Sequence, residues 1–272
     1  MKKILVPTDF SPAAHNAFEY ALQLAESTGM SLELLHIIPP KPDTGKYPMP
    51  AWLELVDVER TDDALKHFRS YEQEVQVRLG QKVSVEIELV TGNPVWEIIH
   101  HSKYADLIVM GTQGIESAES KTLGSVTAQV IAKTSCSVLV IPEGSAYKPI
   151  TNIVFGTTLD EEEIEGLDPL LAFAETVGAK LSFVHIEDKK EGSDLLRFSS
   201  VEQIYQIRDH QQEVGLYQLT HTDIISGLQI FVNHANAEII AILSHHRDLW
   251  SKSIARDLAF YSYTPVLVLH QG

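Results

Sequence analysis

The chain has 272 residues, of which 44% are hydrophobic, and it carries a formal net charge of −16. This length allows one large domain or two small ones, each with a substantial core. The negative charge argues against a sequence-independent grip on nucleic acid, which requires clustered Lys and Arg side chains.

Cysteine content and hydropathy favour a cytoplasmic protein. The single cysteine, Cys136, excludes an intrachain disulfide framework and fits a reducing compartment. Because it adjoins the apolar residues 138–141, we interpret it as a buried structural thiol. The apolar run at the N-terminus is too short for a signal sequence, and no segment approaches the roughly 18 apolar residues that span a bilayer. We therefore expect no association with membranes.

The first half alternates predicted strands and helices. Residues 4–6 form a short apolar strand, and Ser11 and Pro12 provide the cap and first turn of a helix that ends at Gly29. The pattern then predicts a strand at 32–38, a helix at 52–79, a strand at 83–90, a helix at 95–101, a strand at 107–110, a helix at 126–133 and a strand at 138–141. Such alternation indicates a mainly parallel sheet with helices on both faces.

The second half repeats this order. The matched segments are 152–158 with 3–9, 170–178 with the first helix, 179–186 with 30–37, 237–242 with 105–110, and 264–269 with 136–141. A repeat of this length predicts two homologous α/β domains in tandem.

A glycine-rich loop follows the strand at 107–110. Gly111 and Gly114 lie just after the strand, and Gly124 and Ser125 precede the next helix. Glycines let a backbone approach an anion closely, and the N–H groups and dipole of a helix N-terminus favour negative charge. This arrangement is typical of a phosphate site. The alternative is that Gly111 and Gly114 are ordinary loop glycines.

Four elements together resemble the universal stress protein family in its tandem two-domain form. They are Ile4-Leu5-Val6-Pro7-Thr8-Asp9-Phe10-Ser11, His36-Ile37, Ala105-Asp106-Leu107-Ile108-Val109-Met110-Gly111-Thr112 and the glycine loop. The resemblance covers nearly the whole chain. It implies domains over residues 1–146 and 150–272, each a five-stranded, mainly parallel sheet with helices on both faces, of the adenine nucleotide alpha hydrolase-like type.

The resemblance also implies ATP or AMP, with or without Mg²⁺, at the carboxyl ends of the strands. The matched residues are Pro7 and Asp9 at the first strand, Ile37 and Ile38 at the adenine, Met110, Gly111 and Gly114 around the phosphates and ribose, and Gly124, Ser125 and Val126 at the phosphate site of the helix terminus. A crevice at this edge is where open α/β sheets bind ligands in general.

Two of these residues have a second interpretation. The carboxylate of Asp9 can accept hydrogen bonds from ribose hydroxyls or hold a hydrated Mg²⁺. The alternative is that Asp9 only caps the helix that starts at Ser11 and Pro12. Ser125 can cap its helix and bind phosphate at once, so its two roles are compatible.

The chain departs from the family pattern in the loop between the glycines. Ile115 stands where a basic residue is expected, and Glu116 and Glu119 face a single Lys121. Carboxylates repel a triphosphate unless a divalent cation intervenes. We therefore expect weak ATP binding or a preference for AMP.

The second half departs further. The replacements are Thr158 for Asp9, Leu243 and His246 for Gly111 and Gly114, and Lys252-Ser253 for Gly124-Ser125. Side chains at the glycine positions would block a close backbone approach. We therefore expect one nucleotide per chain, in the first domain only. The acidic residues 160–163 precede a helix, which we expect them to cap.

Residues 138–141 and 266–269 resemble the family's domain-pairing edge strands. Exposed strand edges require covering, so we expect these two to meet within the chain as a pseudo-dimer, with or without further pairing of chains as a homodimer. Adjacent histidines, at 100–101 and 245–246, point apart on a helix or strand, so we expect no metal site.

Three functions fit these features. The leading hypothesis is a stress-response regulator that binds an adenine nucleotide in its first domain and acts on protein partners that the residues do not identify. The second is a scaffold that binds no nucleotide and keeps the glycines for the turn. The third is slow ATP hydrolysis or autophosphorylation, for which the sequence offers no general base beyond Asp9 and no arginine finger. No catalytic residue is therefore assigned.

Overall fold

The computed structural model describes residues 1–40, 61–71, 73, 82–112, 124–159, 163, 166–187, 214–244 and 249–270. The first half provides the strands β1 (Lys3–Thr8), β2 (Ser31–Ile38), β3 (Val85–Thr91), β4 (Leu107–Gly111) and β5 (Ser137–Ile141). The second half provides β6 (Asn152–Gly156), β7 (Lys180–Glu187), β8 (Val214–Thr220), β9 (Ile239–Ser244) and β10 (Val266–His270).

Helices connect most of these strands. They are α1 (Pro12–Thr28), α2 (residues 61–71), α3 (Pro94–Ser102), α4 (Ser125–Lys133), α5 (Asp168–Val177), α6 (Ile224–Ala235) and α7 (Leu249–Tyr261). The predicted strands and helices of the first half are confirmed with shifts of one or two residues at their ends. The helix predicted over 52–79 is confirmed over 61–71, and the rest of it lies outside the described residues.

The ten strands form one sheet in the order β3-β2-β1-β4-β5-β10-β9-β6-β7-β8. All neighbours are parallel except β5 and β10, which are antiparallel and place Leu139 opposite Leu267. Each half is thus a five-stranded parallel sheet, as expected. The predicted pairing of residues 138–141 with 266–269 is confirmed, and it covers the β5 edge of the first half and the β10 edge of the second.

Local sequence signals set the limits of α1. Ser11 is its N-cap and accepts a hydrogen bond from the backbone N–H of Ala14 at 3.2 Å. Gly29 ends the helix in the left-handed conformation, with φ +74, and donates its N–H to the carbonyl of Ala25 at 2.8 Å. A left-handed residue at this position is most easily a glycine, which has no Cβ to clash.

Helices cover both faces of the sheet. The α1 face, covered by α1, α2 and α5, buries a cluster that includes Phe18, Phe68 and Phe173. The α4 face, covered by α3, α4, α6 and α7, buries a second cluster that includes Val130 and Leu258. Among the described helices, none has the length and apolar character needed to cross a membrane.

At the amino edge of each half, one carboxylate accepts hydrogen bonds from two backbone N–H groups at the start of the neighbouring strand, an arrangement that we call the acidic clamp. The carboxylate of Asp106, just before β4, accepts hydrogen bonds from the backbone N–H groups of Lys2 and Lys3 at 2.7 and 3.0 Å. Glu238, just before β9, does the same for residues 151 and 152, both at 2.9 Å. These bonds hold the pKa of Asp106 below its usual value against the opposing effect of burial. The repeated clamp fixes β1 to β4 and β6 to β9.

The segment that joins the halves lies along α1. Asn16 donates its side-chain N–H to the carbonyls of Pro142 and Ser145 at 3.2 and 3.3 Å. The hydroxyl of Tyr147 lies 2.7 Å from that of Ser27. The connection is therefore docked on the first half.

Cys136 is a half-buried thiol. Its Sγ lies 3.6 Å from the carbonyl oxygen of Ala105. Burial raises its pKa to about 12. Because the thiolate is the reactive form, this environment agrees with the structural role expected for Cys136.

Candidate functional site

The topological switch point of the first half lies between β1 and β4. From β1 the chain adds β2 and β3 on one side of the sheet, and β4 and β5 lie on the other side. In open α/β sheets, ligands bind in the crevice at the carboxyl ends of the strands beside such a point. The residues at this crevice are those that follow Thr8 and Met110. Asp9 and Gly111, two of the expected site residues, are therefore at this crevice.

The turn from β1 to α1 is held by two short-range hydrogen bonds. The hydroxyl of Thr8 accepts from the backbone N–H of Phe10, and the carboxylate of Asp9 accepts from the backbone N–H of Ser11, both at 3.0 Å. Phe10 adopts the left-handed conformation, with φ +61. The turn places the exposed Asp9 at the carboxyl edge of the sheet.

The structure separates the two roles considered for Asp9. Ser11, and not Asp9, is the N-cap of α1, because the hydroxyl of Ser11 accepts from Ala14. Asp9 instead orients the turn that delivers this cap. The interpretation of Asp9 as the helix cap is therefore wrong.

Gly111 is required by the packing of α1. A Cβ atom at this position would lie 2.7 Å from the carbonyl oxygen of Ala13 and 2.9 Å from its carbonyl carbon. Both atoms belong to the backbone of the first turn of α1, which cannot move aside easily. The absence of a side chain at Gly111 thus has a structural reason that is independent of any ligand.

The first turn of α4 is fixed against the end of β4. The backbone N–H of Gly124 donates to the carbonyl of Thr112 at 2.8 Å, and the hydroxyl of Thr127 donates to the carbonyl of Gly111 at 3.0 Å. Gly124 is the N-cap, so it has no side chain to cap the helix. Ser125 is the first helical residue and is exposed. The expectation that Ser125 caps α4 is therefore wrong.

This arrangement leaves the N-terminus of α4 without a side-chain cap among the described residues. The first N–H groups of a helix have no partner within the helix and carry a partial positive charge. They lie at the switch point because Gly124 and Thr127 both bind the end of β4.

Apolar side chains line the α4 face near this edge. Ile37 and Met110 are buried in one cluster, and the half-buried Val126 packs against it. Pro7 and Ile38 are also buried. Of the ten matched residues, nine are described and lie at or near the carboxyl ends of β1, β2 and β4 or in the first turn of α4. Gly114 lies outside the described residues, as do the acidic residues 116 and 119 of the same loop.

The corresponding edge of the second half contains a carboxylate. Glu163 is buried and accepts from the hydroxyls of Thr157 and Thr158 at 2.5 and 2.8 Å and from the backbone N–H of Thr158 at 3.0 Å. The sequence predicts that the acidic residues 160–163 cap the following helix, α5. Residues 160–162 lie outside the described residues, and the N-cap of α5 is Leu167, which makes no side-chain cap hydrogen bond. For Glu163, the expectation is therefore wrong, because its carboxylate binds the end of β6.

Two further differences distinguish the second half. Strand register places Leu243, which is buried, at the position of Gly111. Helix α7 already begins at Leu249, so residues 252 and 253 lie inside it and not at its start. Residues 252 and 253 therefore do not provide a helix N-terminus like that at Gly124 and Ser125. His246 lies outside the described residues.

Sequence reasoning did not identify the role of His36. Its Nδ1 donates to the carbonyl of Thr8 at 2.7 Å, and His185 makes the same contact to Thr157 at 3.0 Å. Burial is the main effect that lowers the pKa of His36. The signal was the same separation of 28 residues between threonine and histidine in each half.

Comparison with known proteins identifies the family of the chain. Residues 1–142 match the sequence profile of the universal stress protein family. The chain belongs to this family. It is 31% identical over 144 residues to a universal stress protein of Methanocaldococcus jannaschii, a match that covers 52% of the chain and 81% of that protein. It is 31% identical over 148 residues to a putative universal stress protein of Staphylococcus aureus, covering 52% of the chain and 83% of the relative.

A solved structure extends the likeness to both halves. A universal stress protein from Archaeoglobus fulgidus matches 99% of this chain and 98% of its own, with a TM-score of 0.76 and 19% sequence identity. At this identity the match shows the fold. The tandem α/β fold of this universal stress protein is thus found in a second member of the family.

Proposed function

We propose that this universal stress protein is a stress-response regulator that binds one adenine nucleotide, ATP or AMP, at the switch point of its first half. The observation that carries the proposal is the N-terminus of α4, which has a glycine cap and is fixed at the end of β4. Such a terminus favours a phosphate because its N–H groups and its dipole both attract negative charge.

The other residues of the crevice fit the remaining parts of a nucleotide. The backbone N–H groups of Ser125 and Val126 would bind a phosphate, and the carboxylate of Asp9 would accept from ribose hydroxyls or hold a hydrated Mg²⁺. The buried Ile37 and Met110 provide apolar surface for adenine. Pro7, Ile38, Gly111 and Gly114 complete the proposed set.

Charge supports a role for a divalent cation. The chain has a formal net charge of −16, and the loop before Gly124 contains Glu116 and Glu119. Since these carboxylates repel phosphate, Mg²⁺ would strengthen ATP binding more than AMP binding. The affinities for ATP and for AMP, each measured with and without Mg²⁺, would show which nucleotide the site favours.

The second half supports a single nucleotide per chain. The carboxylate of Glu163 already occupies the donors of Thr157 and Thr158 at the end of β6. It would also repel a phosphate. Leu243 fills the position of Gly111. The first difference adds a negative charge at this edge, and the second replaces a glycine of the proposed set.

A charge introduced beside the phosphate site tests the proposal. Ser125→Glu adds a carboxylate to the first turn of α4, where it suits the helix dipole but repels a phosphate. We expect isothermal titration to show nucleotide binding to the wild-type chain and a loss of about tenfold or more in affinity for the variant. Ser125→Ala should bind within about threefold of wild type, because the proposed phosphate donors are backbone groups.

Ser226→Glu is the matched control. Ser226 lies in the first turn of α6, where its N–H already donates to the N-cap Asp223 at 2.8 Å. This variant changes the net charge equally and should leave nucleotide affinity unchanged. Equal weakening by both variants, or no binding by the wild-type chain at millimolar nucleotide, would refute the proposal.

A scaffold that binds no nucleotide is the second candidate. It is favoured by one observation, the close contact that a Cβ at Gly111 would make with the backbone of Ala13. This contact explains the glycine without a ligand. The titration distinguishes the two functions, since a scaffold gives no binding heat with either nucleotide.

A further inference from the structure

Phe10 joins the candidate site to helix α2. Its φ of +61 is unusual, because a bulky side chain rarely adopts the left-handed conformation. Such conformations persist where the surrounding structure enforces them, often at ligand sites and switch regions. The neighbouring Asp9 belongs to the proposed nucleotide site.

The ring of Phe10 contacts three side chains of α2. Its centroid lies 4.6 Å from that of His67, in a stacked arrangement, and 5.4 and 6.0 Å from those of Phe68 and Tyr71. The ring also contacts His36 of β2, with centroids 4.4 Å apart. Phe68 and Tyr71 are buried in the cluster of the α1 face. Phe10 is therefore a main contact between α2 and the end of β1.

The backbone around Phe10 connects this contact to Asp9. Asp9 accepts from the N–H of Ser11, and Thr8 accepts from the N–H of Phe10. A ligand that binds Asp9 would fix the orientation of the Asp9 carboxylate. Because this carboxylate binds the backbone of the turn, the ligand would also restrict the turn that positions the Phe10 ring. Phe10 thus provides a direct path by which the effect of a ligand at Asp9 can reach α2.

The second half shows what the turn does without the ring. Leu159 stands where Phe10 does, with φ +63, and its N–H donates to Thr157 as that of Phe10 donates to Thr8. The left-handed turn therefore belongs to the fold and accepts a leucine. The aromatic ring against α2 is the addition of the first half.

We propose that nucleotide binding at Asp9 and the docking of α2 are coupled through the ring of Phe10, so that a bound nucleotide stabilises α2 on the α1 face. This inference rests on the proposed function, since it assumes a nucleotide at Asp9. Coupling of this kind is reciprocal: docked α2 strengthens nucleotide binding by the factor by which the nucleotide strengthens docking.

Hydrogen exchange measured by mass spectrometry tests the coupling in the full-length chain. Saturating nucleotide with Mg²⁺ should slow the exchange of peptides covering 61–71 by about tenfold in the wild-type protein. Phe10→Leu copies the residue that the second half accepts at this turn and removes the ring. In this variant the nucleotide should slow exchange at 61–71 by less than about threefold. The nucleotide affinity should fall by the same factor by which the slowing of exchange is reduced relative to the wild-type protein.

Leu65→Ala is the control, because Leu65 lies on α2 and is 41% exposed. It should keep both the slowing and the affinity. Titration of the same samples distinguishes the possible failures. If the nucleotide binds and exchange at 61–71 is unchanged, the coupling is overturned and the proposed function stands. The same holds if the nucleotide slows exchange in Phe10→Leu as much as in the wild-type protein. No binding heat in the wild-type chain overturns both.

Discussion

The carboxylate of Glu163 lies 3.0 Å from the backbone nitrogen of Thr158, at the end of β6 where the first half has Asp9. The carboxylate at the carboxyl edge of the second half thus comes from Glu163, in the segment before α5. In the first half the carboxylate belongs to Asp9, in the turn from β1 to α1. The carboxyl edges of the two halves therefore present different chemical groups to a ligand.

Removal of this carboxylate should destabilise the second half. Glu163→Ala leaves the donors of Thr157 and Thr158 without their buried acceptor, which we expect to lower the free energy of unfolding by about 2–3 kcal/mol. Glu163→Gln keeps one acceptor and should lower it by about half as much. Urea denaturation measures both. The exposed Glu143→Ala is the control, and an equally small effect of all three variants would contradict this role of Glu163.

Gly111→Ala should be more harmful than Gly156→Ala, a change at the last residue of β6 in the second half. The new Cβ would lie 2.7 Å from the backbone oxygen of Ala13, whereas at Gly156 its nearest neighbour would be the side-chain end of Leu228 at 3.0 Å. We expect a loss of about 1–3 kcal/mol for Gly111→Ala and less than about 1 kcal/mol for Gly156→Ala. Thermal denaturation measures the difference. Similar melting temperatures for the two variants would show that Gly111 is not required by packing.

Substitutions on the two sides of the junction between the halves should have coupled effects on the free energy of unfolding. Leu139 and Leu267 lie opposite each other in the antiparallel pair β5–β10, and both are fully buried. We expect each Leu→Ala variant to lose about 2–4 kcal/mol and the double variant to deviate from additivity by about 1 kcal/mol. A double-mutant cycle in urea measures this coupling. Strict additivity would contradict direct contact between these side chains.

Mild acid should weaken the fold through His36. Burial lowers the pKa of His36 in the folded chain below 6.5, despite its bond to Thr8 and the nearby charge of Asp9. The unfolded chain therefore takes up a proton first as the pH falls, so stability decreases from about pH 6.5 down to the pKa of the folded state.

The variant His36→Asn removes this titration and keeps an N–H donor at the position of Nδ1 for the carbonyl of Thr8. Its melting temperature should change less between pH 7.5 and 5.5 than that of the wild-type chain. His100→Asn, at an exposed histidine, is the control. A pH dependence unchanged in His36→Asn would contradict the assignment.

The sequence predicts those parts of the fold that depend on local chemistry. Ser11 and Gly29 mark the ends of α1 because a cap and a left-handed residue have strong residue preferences. Residues 138–141 and 266–269 resemble the family's domain-pairing edge strands, and exposed edges require covering, so the sequence predicts that β5 and β10 pair. The register of Leu139 with Leu267 agrees.

The features that sequence reasoning missed depend on tertiary contacts. The bond between Glu163 and Thr158 arises only when the segment before α5 returns to the end of β6. The role of Gly111 depends on the path of the backbone at Ala13. The early start of α7 at Leu249 cannot be inferred from Lys252 and Ser253, which align with the glycine motif by position alone.

A crystal structure of the full-length chain grown with ATP and Mg²⁺ would show directly whether the first half alone binds a nucleotide. We expect one nucleotide per chain, with a phosphate at the N–H groups of Ser125 and Val126 and the ribose or the Mg²⁺ beside Asp9. We expect no nucleotide density beside Thr158 in the second half. A nucleotide at Thr158, or no nucleotide density between Asp9 and Ser125 at saturating concentration, would refute the proposed site.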